Sequence, residues 1–144
     1  MPEPLFLTDD AEVPARILLR MNGSDMLKHF HIRLEFPSAT MVRAVIDPVR
    51  DHQRGGLQSA AVNGGILAAL FDLVLGMPGV TRSPDAPSGT MQLSINFMRA
   101  VRSERVAAEG WIERAGKGVL FTAARLLDDN GEVCATATGL VRLL

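Results

Sequence analysis

The stretch from Asn63 to Gly76 constrains this chain more than any other. Its apolar residues, Ile66, Leu67, Leu70, Phe71, Leu73, Val74 and Leu75, run all the way round a helix instead of forming one stripe. Such a helix must be buried on most sides, so the rest of the chain has to wrap it. Asn63 is a good N-cap residue, and Gly76 with Pro78 predicts the stop. One carboxylate, Asp72, stands inside this apolar run.

The material for wrapping is legible on both sides. Ile32, Leu34 and Phe36 alternate with Arg33 and Glu35, and after a turn at Pro37-Ser38 the run Met41–Ile46 resumes extended, which predicts a hairpin. Residues 47–62 and 79–89 read as loops. Four further strands are predicted at about 90–98, 105–114, 119–127 and 132–143, with turn signals at Ala115-Gly116-Lys117-Gly118 and Asp128-Asp129-Asn130-Gly131. Residues 1–25 read as an N-terminal extension, loose over 1–10. A short helix follows, with Pro14 in its first turn and Ile17, Leu18 and Met21 on one face. Ser24 or Asp25 caps a second short turn through Met26, Leu27 and Phe30. The expected fold is α+β: a curved antiparallel sheet wrapped around one central apolar helix, in a single domain spanning 1–144.

Composition excludes several function classes. The 144 residues are 47% apolar with a formal net charge of -1, which argues against nucleic acid as a general partner. Cys134 is the only cysteine and sits in a strand-like run, so a packed, inert thiol is expected. His29, His31 and His52 are too scattered for a zinc site, and no metal is expected. The N-terminus lacks a basic start followed by an apolar stretch, and the run Ile66–Met77 is interrupted by Asp72 and short for a bilayer. A cytoplasmic protein without membrane contact is therefore the expectation. Met77, Met91 and Met98 read as core fillers, and Trp111 as a packing residue.

Asn63-Gly64-Gly65 followed by Asp72, nine positions after Asn63, resembles the motif of hotdog-fold thioesterases of the phenylacetate-degradation, acyl-CoA type. That motif is His-Gly-Gly at the start of the central helix with an acid nine positions after the histidine. The segments Gln92–Ala100, Gly116–Phe121 and Asp129–Ala135 match the family's later strands, and the resemblance covers roughly residues 26–143. The departure is Asn63, which stands where the family has histidine. The resemblance implies an acyl-CoA thioesterase that needs no cofactor, coenzyme A being part of the substrate, and that assembles as a homodimer, often paired into a tetramer. It assigns catalysis to Asp72 and Gly64. It also points to Thr90, a hydroxyl 18 residues after Asp72, and to Gln58, five before Asn63, near where the family has an amide contacting the nucleophile.

The chemistry fits those residue types. Thioester hydrolysis needs an activated attacking group and donors for the developing oxyanion. A helix N-terminus offers free N–H groups, and glycine there permits close approach. Gly64 N–H is the expected oxyanion donor, with Gly65 beside it, and Asn63 has an amide to offer the substrate. Asp72 acts as general base or as nucleophile; its setting between Phe71 and Leu73 predicts a carboxylate withdrawn from water and so a stronger base. Gly64 and Asp72 lie about 12 Å apart along a helix, too far to touch one carbonyl carbon. One chain therefore cannot complete the site, and a two-fold dimer with two equivalent sites follows. Arg99, Arg102, Arg114 and Lys117, at strand ends or turns, are candidates for the phosphates of coenzyme A. Structural counterparts stay open: a locally bonded Asp72, glycines present for helix–sheet packing, a surface Thr90 and solvated charges. So do two other activities, a non-catalytic acyl-thioester binder and an enoyl-CoA hydratase or dehydratase.

Overall fold

A computed structural model describes residues 2–56 and 59–144. In chain order the elements are α1 (Glu12–Asn22), α2 (Asp25–His29), β1 (Arg33–Ser38), β2 (Met41–Ile46), a 3₁₀ turn at Asp51–Gln53, α3 (Gly64–Arg82), β3 (Ser88–Phe97), β4 (Val106–Ala115), β5 (Val119–Leu127) and β6 (Val133–Leu143). The strands form one antiparallel sheet in the order β1-β2-β4-β5-β6-β3, and α3 packs across it from β2 to β3. This is the sheet around an apolar helix that the hydropathy pattern predicts, and the hotdog arrangement that the resemblance implies. Leu70, Phe71, Val74 and Leu75 of α3 are fully buried against the sheet. Each such side chain contributes roughly 1.5–3 kcal/mol by leaving water.

The central helix does not stop at Gly76 or Pro78. It continues for 19 residues to Arg82, with Pro78 inside it. A proline there removes the N–H that Val74 C=O would otherwise accept, four residues back. The freed carbonyl turns onto β4: a Cβ placed on Gly110 would stand 2.5 Å from Val74 O. Glycine at 110 thus lets sheet backbone approach the helix backbone where the proline has interrupted it. A second close approach, at Gly79, seats the end of α3 on Ser88 and Val141. By length and composition α3 would also suffice to cross a bilayer, with mean hydropathy 1.6, although the shorter run Ile66–Met77 would not. Half of that span is buried inside the fold, and a core helix wrapped by a sheet requires the same composition.

Other local readings also change. The first hairpin turns at Ala39-Thr40, because β1 runs through Pro37 to pair Ser38 with Met41. Residues near the start are not loose. Leu5 is fully buried and donates its N–H to Ala39 O, while Glu3 bridges to β4 and pairs with Arg82. Of the three methionines expected in the core only Met77 is buried; Met91 and Met98 are more than half exposed, at the β3 edge and just beyond it. Cys134 is buried, and burial pushes its thiol up, away from the reactive thiolate.

On the sheet face away from α3, Glu109 is 4% exposed and accepts hydrogen bonds from Arg43 at 2.7 Å and Arg125 at 3.0 Å. Burial pushes the Glu109 carboxyl up, but the bonds and charges of the two arginines outweigh it and hold it below the ordinary carboxylate value. Trp111 lies on this same outer face beneath Arg125, so it packs away from the helix.

Candidate active site

α3 begins at a well-formed cap. Asn63 is extended, with φ -60° and ψ 136°, and its Oδ1 accepts from Gly65 N–H at 2.8 Å. Its amide nitrogen donates to Gly55 O at 3.4 Å. Asn63 thus caps the helix through Oδ1, on which Gly65 N–H is spent, and ties the cap to the preceding loop through one of its two amide N–H groups. Gly64 N–H has no acceptor among the described residues. The motif thus leaves one free backbone donor at the positive end of a 19-residue helix. Gly64 is exposed, and the ring of Phe97 lies 3.7 Å from where its Cβ would be.

Asp72 lies two turns further along α3. It is exposed in the single chain, which corrects the expectation that its neighbours withdraw it from water. Phe71 and Leu75 point into the sheet, but a residue about 100° further round the helix does not. The sheet covers one side of α3, and on the other Ala69, Leu73, Gly76 and Val80 are half-buried and with Asp72 line a partly open cavity of about 280 Å³. Thr90 lines the same cavity, and its Oγ1 sits 2.9 Å from the Cβ position of Gly76, one turn after Asp72. A β-bulge between Thr90 and Gln92 explains this placement. It shifts the alternation by one residue, so Thr90 faces the helix side together with Leu93 and Ile95.

Of the remaining candidates, Gln58 lies outside the described residues. The four basic residues separate into two groups. Arg99 and Arg102 follow the end of β3, near the start of α3; Arg99 is paired with Glu132, and the Arg102 carbonyl accepts from Arg54. Arg114 and Lys117 lie at the β4–β5 turn, with Arg114 stacked on Phe121 and Gly118 bonded to Leu143 beside the start of β3. A ten-residue strand separates the groups by about 30 Å, so no single phosphate cluster forms within one chain. Met21, Met26 and Leu27 also line the Asp72 cavity. Sequence reasoning assigned them only to short helices, since no local periodicity shows which face a docked helix turns toward a distant residue.

β3 is an edge of the sheet. Its ten residues carry no charge and no proline, and Met91 and Phe97 are exposed along it. The opposite edge, β1, is shorter and bears Arg33, Glu35 and Pro37. An unprotected edge like β3 is a template for another strand, whereas β1 is blunted.

Comparison with solved structures finds this architecture repeatedly. A Shewanella oneidensis protein related to the thioesterase superfamily superposes with a TM-score of 0.80 at 19% identity, over 93% of this chain and 97% of that one. A variant of a Pseudomonas aeruginosa thioesterase gives 0.80 at 18% identity, over 96% of each chain. A Haemophilus influenzae thioesterase gives 0.77 at 14% identity, over 90% of this chain and 88% of its own. At such identities the likeness speaks for the fold alone. No protein with a curated description matches the sequence. The thioesterase superfamily model matches residues 60–135, more than half of the chain and the whole span from the Gly64 cap through Asp72 to β6, and the chain belongs to that superfamily.

Proposed function

We propose that this protein is an acyl-CoA thioesterase working as a two-fold dimer, with Asp72 of one subunit facing Gly64 of the other. The observation that carries the reading is the division of the site along α3. An exposed carboxylate shares an apolar cavity with Thr90, while the free Gly64 N–H lies about 12 Å away at the helix start. The β3 edge supports a way to reunite them. In antiparallel pairing of two β3 strands, the Phe97 end of one meets the Thr90 end of the other. Gly64 packs by Phe97 and Asp72 shares a cavity with Thr90, so pairing brings each Gly64 toward the opposite Asp72.

In this reading Asp72 removes a proton from water as the water oxygen adds to the thioester carbonyl carbon. The resulting oxyanion is held by the partner subunit's Gly64 N–H. Thr90 orients the water or the carboxylate. Collapse of the intermediate breaks the C–S bond, and the coenzyme A thiolate leaves and takes up the proton. Coenzyme A enters only as part of the substrate. In the pairing described, Arg99 and Arg102 of one subunit approach the cavity of the other, where they can meet its phosphates.

Asp72→Asn tests the proposal. The variant should fold and assemble as the parent does, yet lose about 10²–10⁴-fold in hydrolysis of acyl-CoAs, the contribution of a positioned base. Undiminished turnover would sink the mechanism. A second reading, a dimer that binds acyl thioesters without cleaving them, is favoured by one observation: Asn63 stands where the family motif has histidine, and it serves as the helix cap. Binding of an acyl-CoA by the purified protein with no release of free thiol would select it.

A further inference from the structure

The cavity beside Asp72 has a wall that the catalytic motif does not supply. Met21 closes α1 and Met26 opens α2, and both reach the cavity from the corner between these helices. That corner is held firmly at its backbone. The Asn22 side chain donates to Leu34 O at 3.0 Å and accepts from Leu34 N at 2.7 Å, clamping the corner to β1. Leu27 is 1% exposed, and the buried Gln53 side chain donates to Phe30 O at 2.7 Å, tying the end of α2 to the loop ahead of α3. The superfamily match spans residues 60–135, so this wall comes from residues ahead of the matched segment.

Resting on the thioesterase reading, we infer that the α1–α2 corner is the end wall of the acyl pocket and that Met26, with Met21, sets the length of acyl chain accepted. The lining admits a plain hydrocarbon. Within one chain, Asp72 is its only ionisable group, Ser88 and Thr90 are its only hydroxyls, and no aromatic ring faces it among the described residues. Methionine side chains are flexible and polarisable, and they adapt to an unbranched chain better than to one rigid shape. The substrate class is thus a straight-chain, unsubstituted acyl thioester, its length limited where the chain meets Met26.

The experiment is a kcat/KM profile over straight-chain acyl-CoAs from acetyl to palmitoyl for the parent protein, Met26→Trp and Met26→Ala. Met26 is 53% exposed, so a larger side chain can be accommodated without straining the core. Met26→Trp should move the peak to shorter chains, losing about tenfold per excluded methylene relative to butanoyl, the usual discrimination of an apolar pocket. Met26→Ala should move it to longer chains. Identical profiles in all three proteins would overturn the inference and leave the thioesterase reading standing. A parent that hydrolyses none of the series would overturn both.

Discussion

Proline at position 64 separates the proposed oxyanion donor from everything else the residue does. Gly64 is the first residue of α3, the helical position that proline favours and where its missing N–H costs no helix hydrogen bond. Asn63, before it, already has φ -60° and ψ 136°, the extended conformation a following proline demands. A Cβ at 64 would lie 3.7 Å from the Phe97 ring, ordinary contact. Gly64→Pro should therefore fold with stability close to the parent's. It lacks the one N–H at the helix start with no other acceptor, so kcat should fall by about 10²–10³, or about 2.7–4 kcal/mol in the barrier. Gly64→Ala retains the donor and should lose far less. Equal losses in the two variants would mean that bulk, not the donor, matters, and would refute the assignment. Steady-state release of free thiol measures all of this, with circular dichroism as the check on folding. Co-expression with Asp72→Asn extends the test. At equal amounts, random pairing makes half the dimers mixed, and each mixed dimer holds one intact site of two. About a quarter of parental activity should return, although neither variant alone is active. Mixed dimers with no recovered activity would refute the cross-subunit site.

Two further outcomes concern stability. Gly110→Ala would force a Cβ against the carbonyl of Val74 at 2.5 Å, and backbone cannot move aside as a side chain can. Chemical denaturation should show a loss of about 1–3 kcal/mol, the usual cost of overpacking, and an unchanged midpoint would refute the account of how Pro78 is tolerated. The lowered Glu109 carboxyl carries a pH signature: its folded value lies below its unfolded one, so its stabilisation is fully present above about pH 4.5 and is lost as pH falls through the folded value. Glu109→Gln should be less stable at neutral pH and should show a shallower decline on acidification; parallel stability curves for the two proteins would contradict this.

Much of the fold was legible because its causes are local. Helix α3 announces itself by apolar residues on every side and an N-capping Asn63, and the last three strands by alternation between glycine-bearing turns. Gly64 and Asp72 could be named as candidates because Asn63-Gly64-Gly65 with its spaced acid resembles a family motif, and the 12 Å between them, at about 1.5 Å per residue, argues for a second subunit if both act on one carbonyl. Other features were settled only by chain segments meeting in space. Pro78 reads as a terminator until β4 brings Gly110 beneath the carbonyl that the proline frees. Asp72 reads as buried until the sheet is seen to cover only one side of α3. Leu5 and Glu3 look loose until their partners arrive, Ala39 of the first hairpin turn for Leu5, and β4 with the end of α3 for Glu3. The meeting of Asp72 and Met26 at one cavity belongs to this second kind. Periodicity and capping act over a few residues and are written in the chain, whereas a cavity wall forms from residues distant in sequence, and only the docked helices decide which ones face it.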